Sequence, residues 1–319
     1  QDGRTEVMNI TITGNLGSGK TSVCRELKKY GFTIISAGDI FRDIAAEKGM
    51  TVIELNEAAK NDSSIDDLLD SRSTELGKKM DHTVFDSRLA WHFVEKSFKV
   101  FLLVDVQEAA RRVFEGDNRS AEAYQNIEEA RAGLEERAKL EQARFADLYQ
   151  LDYYDSSNYD LIIESSSAAP DQIAQEIKRS FELYQANPYT TKVELNLRSL
   201  FPTKHYQELN KEQLKSCRQT EQEKNPSLCA LEALSVTMKN GYNYLLSGHH
   251  TAFAAISAGK AFGEVKRICM DPVSLNKIIP LTKEDIMEFE QTGNFQYPVS
   301  PAVMPEKSGY MIDFTKLTN

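Results

Sequence analysis

The residues with the clearest chemical role in this sequence lie in one short segment near its start. Residues 14–21 read Gly-Asn-Leu-Gly-Ser-Gly-Lys-Thr, which fits the pattern G-x-x-x-x-G-K-T. Glycines in such a turn let the backbone wrap a phosphate, so that successive N–H groups point at its oxygens. Lys20 can neutralise the β- and γ-phosphates, and the hydroxyl of Thr21 can bind Mg²⁺. The segment therefore predicts a nucleoside triphosphate site formed by Gly14, Gly17, Ser18, Gly19, Lys20 and Thr21.

The elements around this segment are those that such a turn requires. An apolar run at 8–13 precedes it and a helix-like stretch at 21–27 follows it, which places the phosphate at the positive end of a helix. Four further apolar runs are each followed by a helical pattern, and this alternation predicts an α/β fold with a parallel sheet and helices on both faces. Two charged helices, at 65–79 and 121–150, are expected to project from the sheet as flaps. The four runs lie at 33–36, 83–85, 100–104 and 161–163.

Polar clusters follow the predicted strands, at the sheet edge where an open α/β fold binds ligands. Residues 36–42 read S-A-G-D-I-F-R, and residues 86–91 read D-S-R-L-A-W. On the second long helix, Arg137, Glu141 and Arg144 are spaced i, i+4, i+7, which puts them on one face. Two guanidinium groups and a carboxylate suit phosphates with a sugar or base, although the same spacing also describes a solvated salt-bridge face.

Taken in order, these motifs resemble those of the cytidylate kinases, in particular the compact archaeal-type branch of the nucleoside monophosphate kinases. The resemblance covers about the first 180 residues of the chain. Motifs in a family-like order are more specific than any one of them alone. They are the glycine-rich segment, S-A-G-D-I-F-R at 36–42, F-D-S-R-L-A-W at 85–91, R-x-x-x-E-x-x-R-F at 137–145 and L-D-x-x-D-x-S-x-Y-D-L-I-I at 151–163.

The resemblance implies an enzyme that transfers the γ-phosphate of ATP to CMP or dCMP. It implies that Thr21 and Asp86 hold Mg²⁺ and that Arg112 and Arg119 form a lid over ATP. Its catalytic residues would be Lys20, Asp86, Arg88, Arg137 and Arg144. Its acceptor nucleotide would be held by Ser36, Gly38, Asp39, Arg42, Arg88, Arg137, Glu141 and Arg144.

Alternatives remain open for the acceptor and for single residues. Ser87 stands where the family usually has glycine, so a kinase for another small acceptor is an alternative, as is a nucleotide-sensing regulatory protein. The number of cations in the motifs favours catalysis over sensing. Asp39 could instead cap a helix that begins at Ile40, and Trp91 is expected in the core.

A second region begins where the alternation ends. A linker is predicted at 186–191, so the domains are expected at 8–185 and 190–319, the second a smaller α+β unit. Its motifs resemble the ParB/sulfiredoxin-like fold, in the branch that includes free-serine kinases. The resemblance implies a phosphorylated ligand at Gly248, His249 and His250, at a strand-to-helix junction. Ser247, Thr251 and Lys204-His205 replace residues usual in that family, so we expect binding without serine kinase activity. The alternatives are a bifunctional kinase and a purely structural role for His249 and His250 at the start of the helix.

Composition limits the partners of the chain. The net charge of −10 is divided unevenly: residues 190–319 carry 15 Lys and Arg against 14 Asp and Glu, and the remainder carries 23 against 34. Neither part has the basic excess of a nucleic-acid binder, so the expected partner is a small-molecule substrate. No apolar stretch approaches the roughly 20 residues of a membrane span. The four cysteines show no C-x-x-C spacing, which fits a cytoplasmic protein.

Overall fold

The structure is a computed structural model that describes residues 8–59, 62, 64–116, 124–204, 208–223 and 232–278. The chain divides into two compact units. The first unit consists of residues 1–103, 137–163 and 169–191, and the second of residues 104–136, 164–168 and 192–319. Among the described residues, none of the helices combines the length and the apolar character that a membrane span requires.

The first unit is built on a parallel sheet, as predicted. The strand order is β2-β3-β1-β4-β5, and β1 pairs in parallel with both β3 and β4. The central strands are almost completely buried because helices cover both faces of a parallel sheet; all six residues of β1 are buried, and Ile10 and Ile12 are fully so. The strands are β1 (Asn9–Gly14), β2 (Thr33–Ser36), β3 (Thr83–Asp86), β4 (Ser97–Leu103) and β5 (Leu161–Glu164).

Helices connect these strands. Trp91 lies in one of them with a side chain that is buried, so its expected place in the core is confirmed. The helices are α1 (Lys20–Lys28), α2 (Ala37–Glu47), α3 (Val52–Ala59), α4 (Ser64–Lys79), α5 (Ala90–Phe93), α6 (Val106–Glu115), α7 (Ile127–Tyr149) and α8 (Pro170–Ala186). Of these, α6 and residues 127–136 of α7 belong to the second unit.

The first charged helix, α4, is not a projecting flap, so that prediction is wrong. Ile65 is buried in a cluster with Ile40, Ile44 and Leu55 of α2 and α3. Further apolar residues of α4 pack against the same cluster, because they share one face of the helix although charges separate them in the sequence. At its end a Cβ on Gly77 would lie 2.9 Å from Val94 Cγ1, so the helix packs closely there as well.

The second unit contains a mixed sheet of strands in the order β6-β10-β8-β9-β7. Its strands β8 and β9 form an antiparallel hairpin closed by Asn240 and Gly241, both with positive φ, as tight hairpin turns require. The predicted boundary at residue 190 stays a prediction, since this unit also includes residues 104–136 and 164–168. Its further elements are β6 (Lys192–Asn196), β7 (Phe201–Pro202), α9 (Lys211–Glu223), β8 (Leu234–Lys239), β9 (Tyr242–Ser247), α10 (His249–Ser257), β10 (Phe262–Arg267) and α11 (Pro272–Asn276).

Gly248, which caps α10, is the position where we expect a small substitution to damage the second unit most. Its φ is 80°, and an added Cβ would lie 2.7 Å from Leu234 Cδ2 and 2.9 Å from the backbone oxygen of Ala233. We expect Gly248→Ala to lower the free energy of unfolding by about 2–4 kcal/mol, through backbone strain together with overpacking. Gly259→Ala is the matched control: its φ is 81°, but its Cβ would meet nothing within 4 Å. Equal losses in denaturant unfolding for the two variants would contradict the role of the contact.

Candidate active site

The glycine-rich turn joins β1 to α1. Gly19 is the N-cap of α1 with a φ of 83°, a conformation that glycine adopts without strain. No side-chain hydrogen bond caps this helix start, so its first-turn N–H groups have no side-chain acceptor and suit an anion. At the other end of the turn, a Cβ on Gly14 would lie 2.5 Å from the backbone oxygen of Leu102. The backbone geometry therefore suits a phosphate, and the binding site itself stays a prediction.

Lys20 lies at the centre of a group of charges. Its Nζ donates to the backbone oxygen of Gly14 at 3.4 Å. Burial and the nearby Arg88 lower the pKa of Lys20 to about 8, while Asp86 and Glu141 act in the opposite direction. Burial raises the pKa of Asp86, against the influence of Lys20 and Arg88. The structure therefore brings four of the predicted site residues within electrostatic reach of one another.

The ends of two neighbouring strands place these groups. Ser36 at the end of β2 lies opposite Asp86 at the end of β3 in the parallel register. The loop that follows β3 is held by Thr13 of β1, whose hydroxyl donates to the backbone oxygens of Ser87 at 3.1 Å and Arg88 at 3.3 Å. Sequence reasoning missed Thr13. A polar residue at the end of an apolar strand, next to the glycine-rich turn, is the signal that could have revealed it.

The start of α2 is organised by a capping box. Ser36 is the N-cap, and its hydroxyl accepts from the backbone N–H of Asp39 while Asp39 accepts from the backbone N–H of Ser36. The helix begins at Ala37, so the alternative that Asp39 is itself the N-cap is wrong. The hydrogen bond from Ser36 holds the pKa of Asp39 below its usual value. Arg42 pairs with Asp39 at 2.5 Å and lies beside Gly38, where a Cβ would be 3.4 Å from its Nη1.

The charged residues predicted on one face of α7 contact two different parts of the first unit. Arg137 donates from Nε to Glu141 Oε1 at 3.1 Å, and Arg88 Nε lies 2.6 Å from Glu141 Oε2. The second contact is an ion pair without the alignment of a hydrogen bond, because Glu141 Oε2 has no hydrogen-bond partner among the described residues. Nη1 of Arg88 is also buried and has no partner there. Arg88, Arg137 and Glu141 thus form one cluster, which we call the arginine–glutamate cluster.

Arg144 is not part of this cluster and instead pairs with α4. Its Nη2 donates to Asp66 of α4 at 2.7 Å, and one turn further along α7 the hydroxyl of Tyr149 donates to Asp70 of α4 at 2.7 Å. Burial raises the pKa of Asp70 to about 6, with smaller effects from the carboxylates of Asp66 and Asp67. Sequence reasoning missed this acidic face of α4. The spacing of Asp66 and Asp70, one helical turn apart, was the available signal.

The two predicted lid arginines are not both described. Arg112 lies in the second unit, where its Nε pairs with Glu108 at 2.8 Å. Its Nη2 donates to the backbone oxygens of Ser165 at 2.6 Å and Ser166 at 3.1 Å. Arg119 lies outside the described residues. The lid therefore stays a prediction.

The histidines at the start of α10 are both hydrogen-bond acceptors. His249 Nε2 accepts from the backbone N–H of Thr203 at 3.2 Å, and His250 Nε2 accepts from that of Asn210 at 3.1 Å. Burial and the nearby Lys204 lower the pKa of His249 to about 4, so its ring is neutral at pH 7. His205 lies outside the described residues.

Comparison with known proteins identifies the first half of the chain. The family described as "Cytidylate kinase-like family" matches residues 9–167. A cytidylate kinase from Methanocella arvoryzae is 41% identical over 162 residues, which cover 50% of this chain and 88% of that protein. The chain belongs to the cytidylate kinase-like family. It is a phosphotransferase, as predicted.

Two further comparisons cover a similar share of the chain. A cytidylate kinase from Thermococcus kodakarensis is 37% identical over 54% of this chain and 87% of its own. The shikimate kinase structure from Bacteroides thetaiotaomicron covers 55% of this chain and 99% of its own, with 16% identity and a TM-score of 0.40, which is too low to support an argument. The family match ends at residue 167, so the ParB/sulfiredoxin-like resemblance of residues 190–319 stays a prediction.

Proposed function

We propose that this protein transfers the γ-phosphate of ATP to CMP or dCMP. The observation that carries the proposal is the convergence of Lys20, Asp86 and Arg88 around the phosphate-binding turn. Phosphoryl transfer needs little covalent chemistry from the protein, because positioning and charge stabilisation supply most of the rate enhancement. Lys20 would bind the β- and γ-phosphates. Arg88, with a buried Nη1 that lacks a partner among the described residues, would bind the acceptor's phosphate or the group in transfer.

Mg²⁺ would be held by Thr21 and Asp86. Mg²⁺ in such sites takes one or two protein oxygens together with substrate phosphates and water, and Asp86 and Thr21 supply that donor set. Burial raises the pKa of Asp86, and the nearby cations Lys20 and Arg88 favour its charged form. When bound, the ion would neutralise charge on the phosphate oxygens. The protein's own residues would orient the two nucleotides and exclude water.

The acceptor would lie at the ends of β2 and β3. Ser36 and Asp86 are neighbours there, and Ser36, Gly38, Asp39 and Arg42 form one exposed edge at the start of α2. The relatives' names support a cytidine nucleotide. The side chain of Ser87, where the family usually has glycine, is the observation that favours a different small acceptor.

A panel assay separates these acceptors. ADP formation would be measured with ATP and each of CMP, dCMP, UMP, AMP, GMP, serine and small alcohols. We expect CMP and dCMP to give the highest kcat/KM, and Lys20→Met to remove the signal for every acceptor. A clear preference for an acceptor outside the cytidine nucleotides would overturn the proposed substrate and leave phosphoryl transfer standing.

Asp66 competes with the acceptor if Arg144 binds its phosphate. The ion pair of 2.7 Å between them must then open before the phosphate can be bound. We expect Asp66→Asn to lower the KM for CMP by about 2–5-fold, the equivalent of roughly 0.5–1 kcal/mol, because an exposed ion pair contributes that much. Asp67→Asn makes the same charge change on an exposed neighbour of Asp66 and should leave the KM unchanged. A raised KM in Asp66→Asn would instead indicate that Asp66 orients Arg144.

For residues 190–319 we propose a ParB/sulfiredoxin-like domain that binds a phosphorylated ligand without kinase activity. Support comes from the start of α10, where Gly248 is the N-cap, no side chain caps the helix, and Lys204 is close enough to lower the pKa of both histidines. Thr251 and Ser247 cannot supply the guanidinium and carboxylate that serine phosphorylation would need. We also propose a cytoplasmic location.

Histidine NMR signals of the full chain test this site. Inorganic phosphate and phosphoserine would be titrated in turn, with His249 and His250 assigned from His→Gln variants. We expect both rings to shift together, whereas the signal of His82 in the first unit stays constant. Formation of phosphoserine from serine and ATP or ADP by Lys20→Met, whose first site is inactive, would overturn the assignment of a binding role alone.

A further inference from the structure

Tyr154, in the segment between α7 and β5, has a buried hydroxyl. The residue is 4% exposed. Its phenolic oxygen has no partner with hydrogen-bond geometry in the part of the chain that the structure describes. Most buried hydroxyls have such a partner, because a buried polar group without one costs free energy. The fold gives no use to this hydroxyl, so we looked for a use in the site around it.

The ring of Tyr154 lies close to the glycine-rich turn. It is edge-on to the ring of Phe101 on β4, with centroids 6.4 Å apart. Phe101 pairs in register with Thr13, which directly precedes the turn and donates to the backbone oxygen of Arg88 at 3.3 Å. Burial raises the pKa of Tyr154, and the nearby side chains of Arg88 and Asn15 act in the opposite direction. The hydroxyl is therefore near both the turn and the loop after β3.

Arg88 supplies a second donor in the same place. Its Nη1 is buried and also lacks a hydrogen-bond partner among the described residues, while its Nε lies 2.6 Å from Glu141. Two such donors beside a turn that suits phosphate favour a shared anion, because each would gain a charge-assisted hydrogen bond when the anion binds. The raised pKa keeps Tyr154 protonated at neutral pH, as a donor must be.

We propose that the hydroxyl of Tyr154 donates a hydrogen bond to the phosphate of the acceptor nucleotide, beside Nη1 of Arg88. This inference rests on the proposed function and adds a neutral donor to it, at a position that the motif at 151–163 leaves open. A neutral hydroxyl directs a hydrogen bond without adding to the repulsion between Lys20 and Arg88. The free protein bears the cost of the buried hydroxyl, and the bound phosphate removes that cost.

Tyr154→Phe removes the hydroxyl and keeps the ring. Without nucleotide, we expect the full-length variant to unfold at the same denaturant concentration as wild type or at a higher one, because the protein loses no hydrogen bond. With ATP, kcat/KM for CMP should fall about 10–100-fold, the effect of losing a hydrogen bond to a charged group. A lower denaturant midpoint would show that the hydroxyl has a partner within the protein. That result, or an unchanged kcat/KM, would overturn the proposal.

Tyr159→Phe is the matched control. Tyr159 is a buried tyrosine of the same segment, but its hydroxyl donates to the backbone oxygen of Tyr153 at 2.6 Å. We expect this variant to unfold at a lower denaturant concentration than wild type and to keep a wild-type kcat/KM for CMP. An equal loss of kcat/KM in both variants would attribute the effect to disturbed packing of the segment and would also overturn the proposal.

Thermal unfolding separates this inference from the choice of substrate. CMP, cytidine and inorganic phosphate would each be added to wild type and to Tyr154→Phe. We expect CMP and phosphate to raise the Tm of wild type more than that of the variant, and cytidine to act equally on both. Wild-type protein that does not turn over CMP would defeat the proposed acceptor. The shifts with inorganic phosphate would still decide the role of Tyr154, since equal shifts in the two proteins would overturn it.

Discussion

Lys20→Met should abolish turnover and at the same time make the nucleotide-free protein more stable. The loss of a charge that contacts the transferring phosphates should lower kcat at least about 100-fold, equivalent to roughly 3 kcal/mol of transition-state stabilisation. The gain in stability follows from the environment of Lys20, whose pKa is lowered from 10.5 to about 8 by burial and by Arg88. The folded protein therefore disfavours the charged ammonium, and methionine removes that cost.

The gain in stability of Lys20→Met should decrease as the pH rises. The unfolded chain binds a proton at Lys20 up to about pH 10.5, whereas the folded protein releases it near pH 8. The unfavourable contribution of Lys20 is thus complete below pH 8 and is relieved as the pH rises from 8 to 10.5. We expect Lys20→Met to be more stable than wild type by about 1–2 kcal/mol at pH 7 and by little at pH 10.5. Denaturant unfolding at the two pH values measures the difference.

Lys28→Met is the matched control for both effects. Lys28 is an exposed residue at the end of the same helix. Its replacement should leave kcat unchanged and should show no gain in stability that disappears at high pH. Normal turnover by a folded Lys20→Met protein would contradict the catalytic role of the glycine-rich turn. A loss of stability at pH 7 would show that the partly buried charge of Lys20 is not unfavourable.

Local sequence was enough to predict the sheet of the first unit. The run at 33–36 coincides with β2, and the run at 83–85 differs from β3 by one residue. The β4 strand begins three residues earlier than predicted, because Lys99 interrupts the apolar run although Phe98 before it is fully buried. The presence of each strand could therefore be predicted from local sequence. The start of β4 could not, because it depends on pairing with β1, a contact between distant parts of the chain.

The candidate site was less predictable. Spacing alone placed Arg137, Glu141 and Arg144 on one face of a helix. It fixed where their backbone positions lie but not which residues their side chains contact. Seven residues of helix rise about 10 Å, so the ends of these long side chains reach different partners. Arg144 meets Asp66, whereas Glu141 meets Arg88, and both partners come from distant parts of the chain. Such pairings follow from tertiary packing, and for the same reason the packing of α4 against α2 and α3 could not be predicted from its charged sequence.

Arg88→Lys should separate binding of the acceptor's phosphate from binding of its nucleoside. Lysine keeps the charge but loses the planar fork that can pair with two phosphate oxygens and, through Nε, with Glu141. We expect kcat/KM for CMP to fall about 30–100-fold, equivalent to roughly 2–3 kcal/mol. Arg25→Lys, at an exposed position on α1, is the control and should leave kcat/KM unchanged.

Thermal unfolding with CMP or cytidine provides the second half of this test. A ligand that binds only the folded protein raises its apparent stability in proportion to the logarithm of ligand concentration over Kd. If the arginines bind the acceptor's phosphate, CMP should raise the Tm of wild-type protein by several degrees at millimolar concentration, and cytidine should raise it much less. In Arg88→Lys the advantage of CMP should shrink towards the small effect of cytidine. Equal stabilisation of wild type by the two ligands would mean that the phosphate is not recognised, and would argue against a nucleoside monophosphate acceptor at this site.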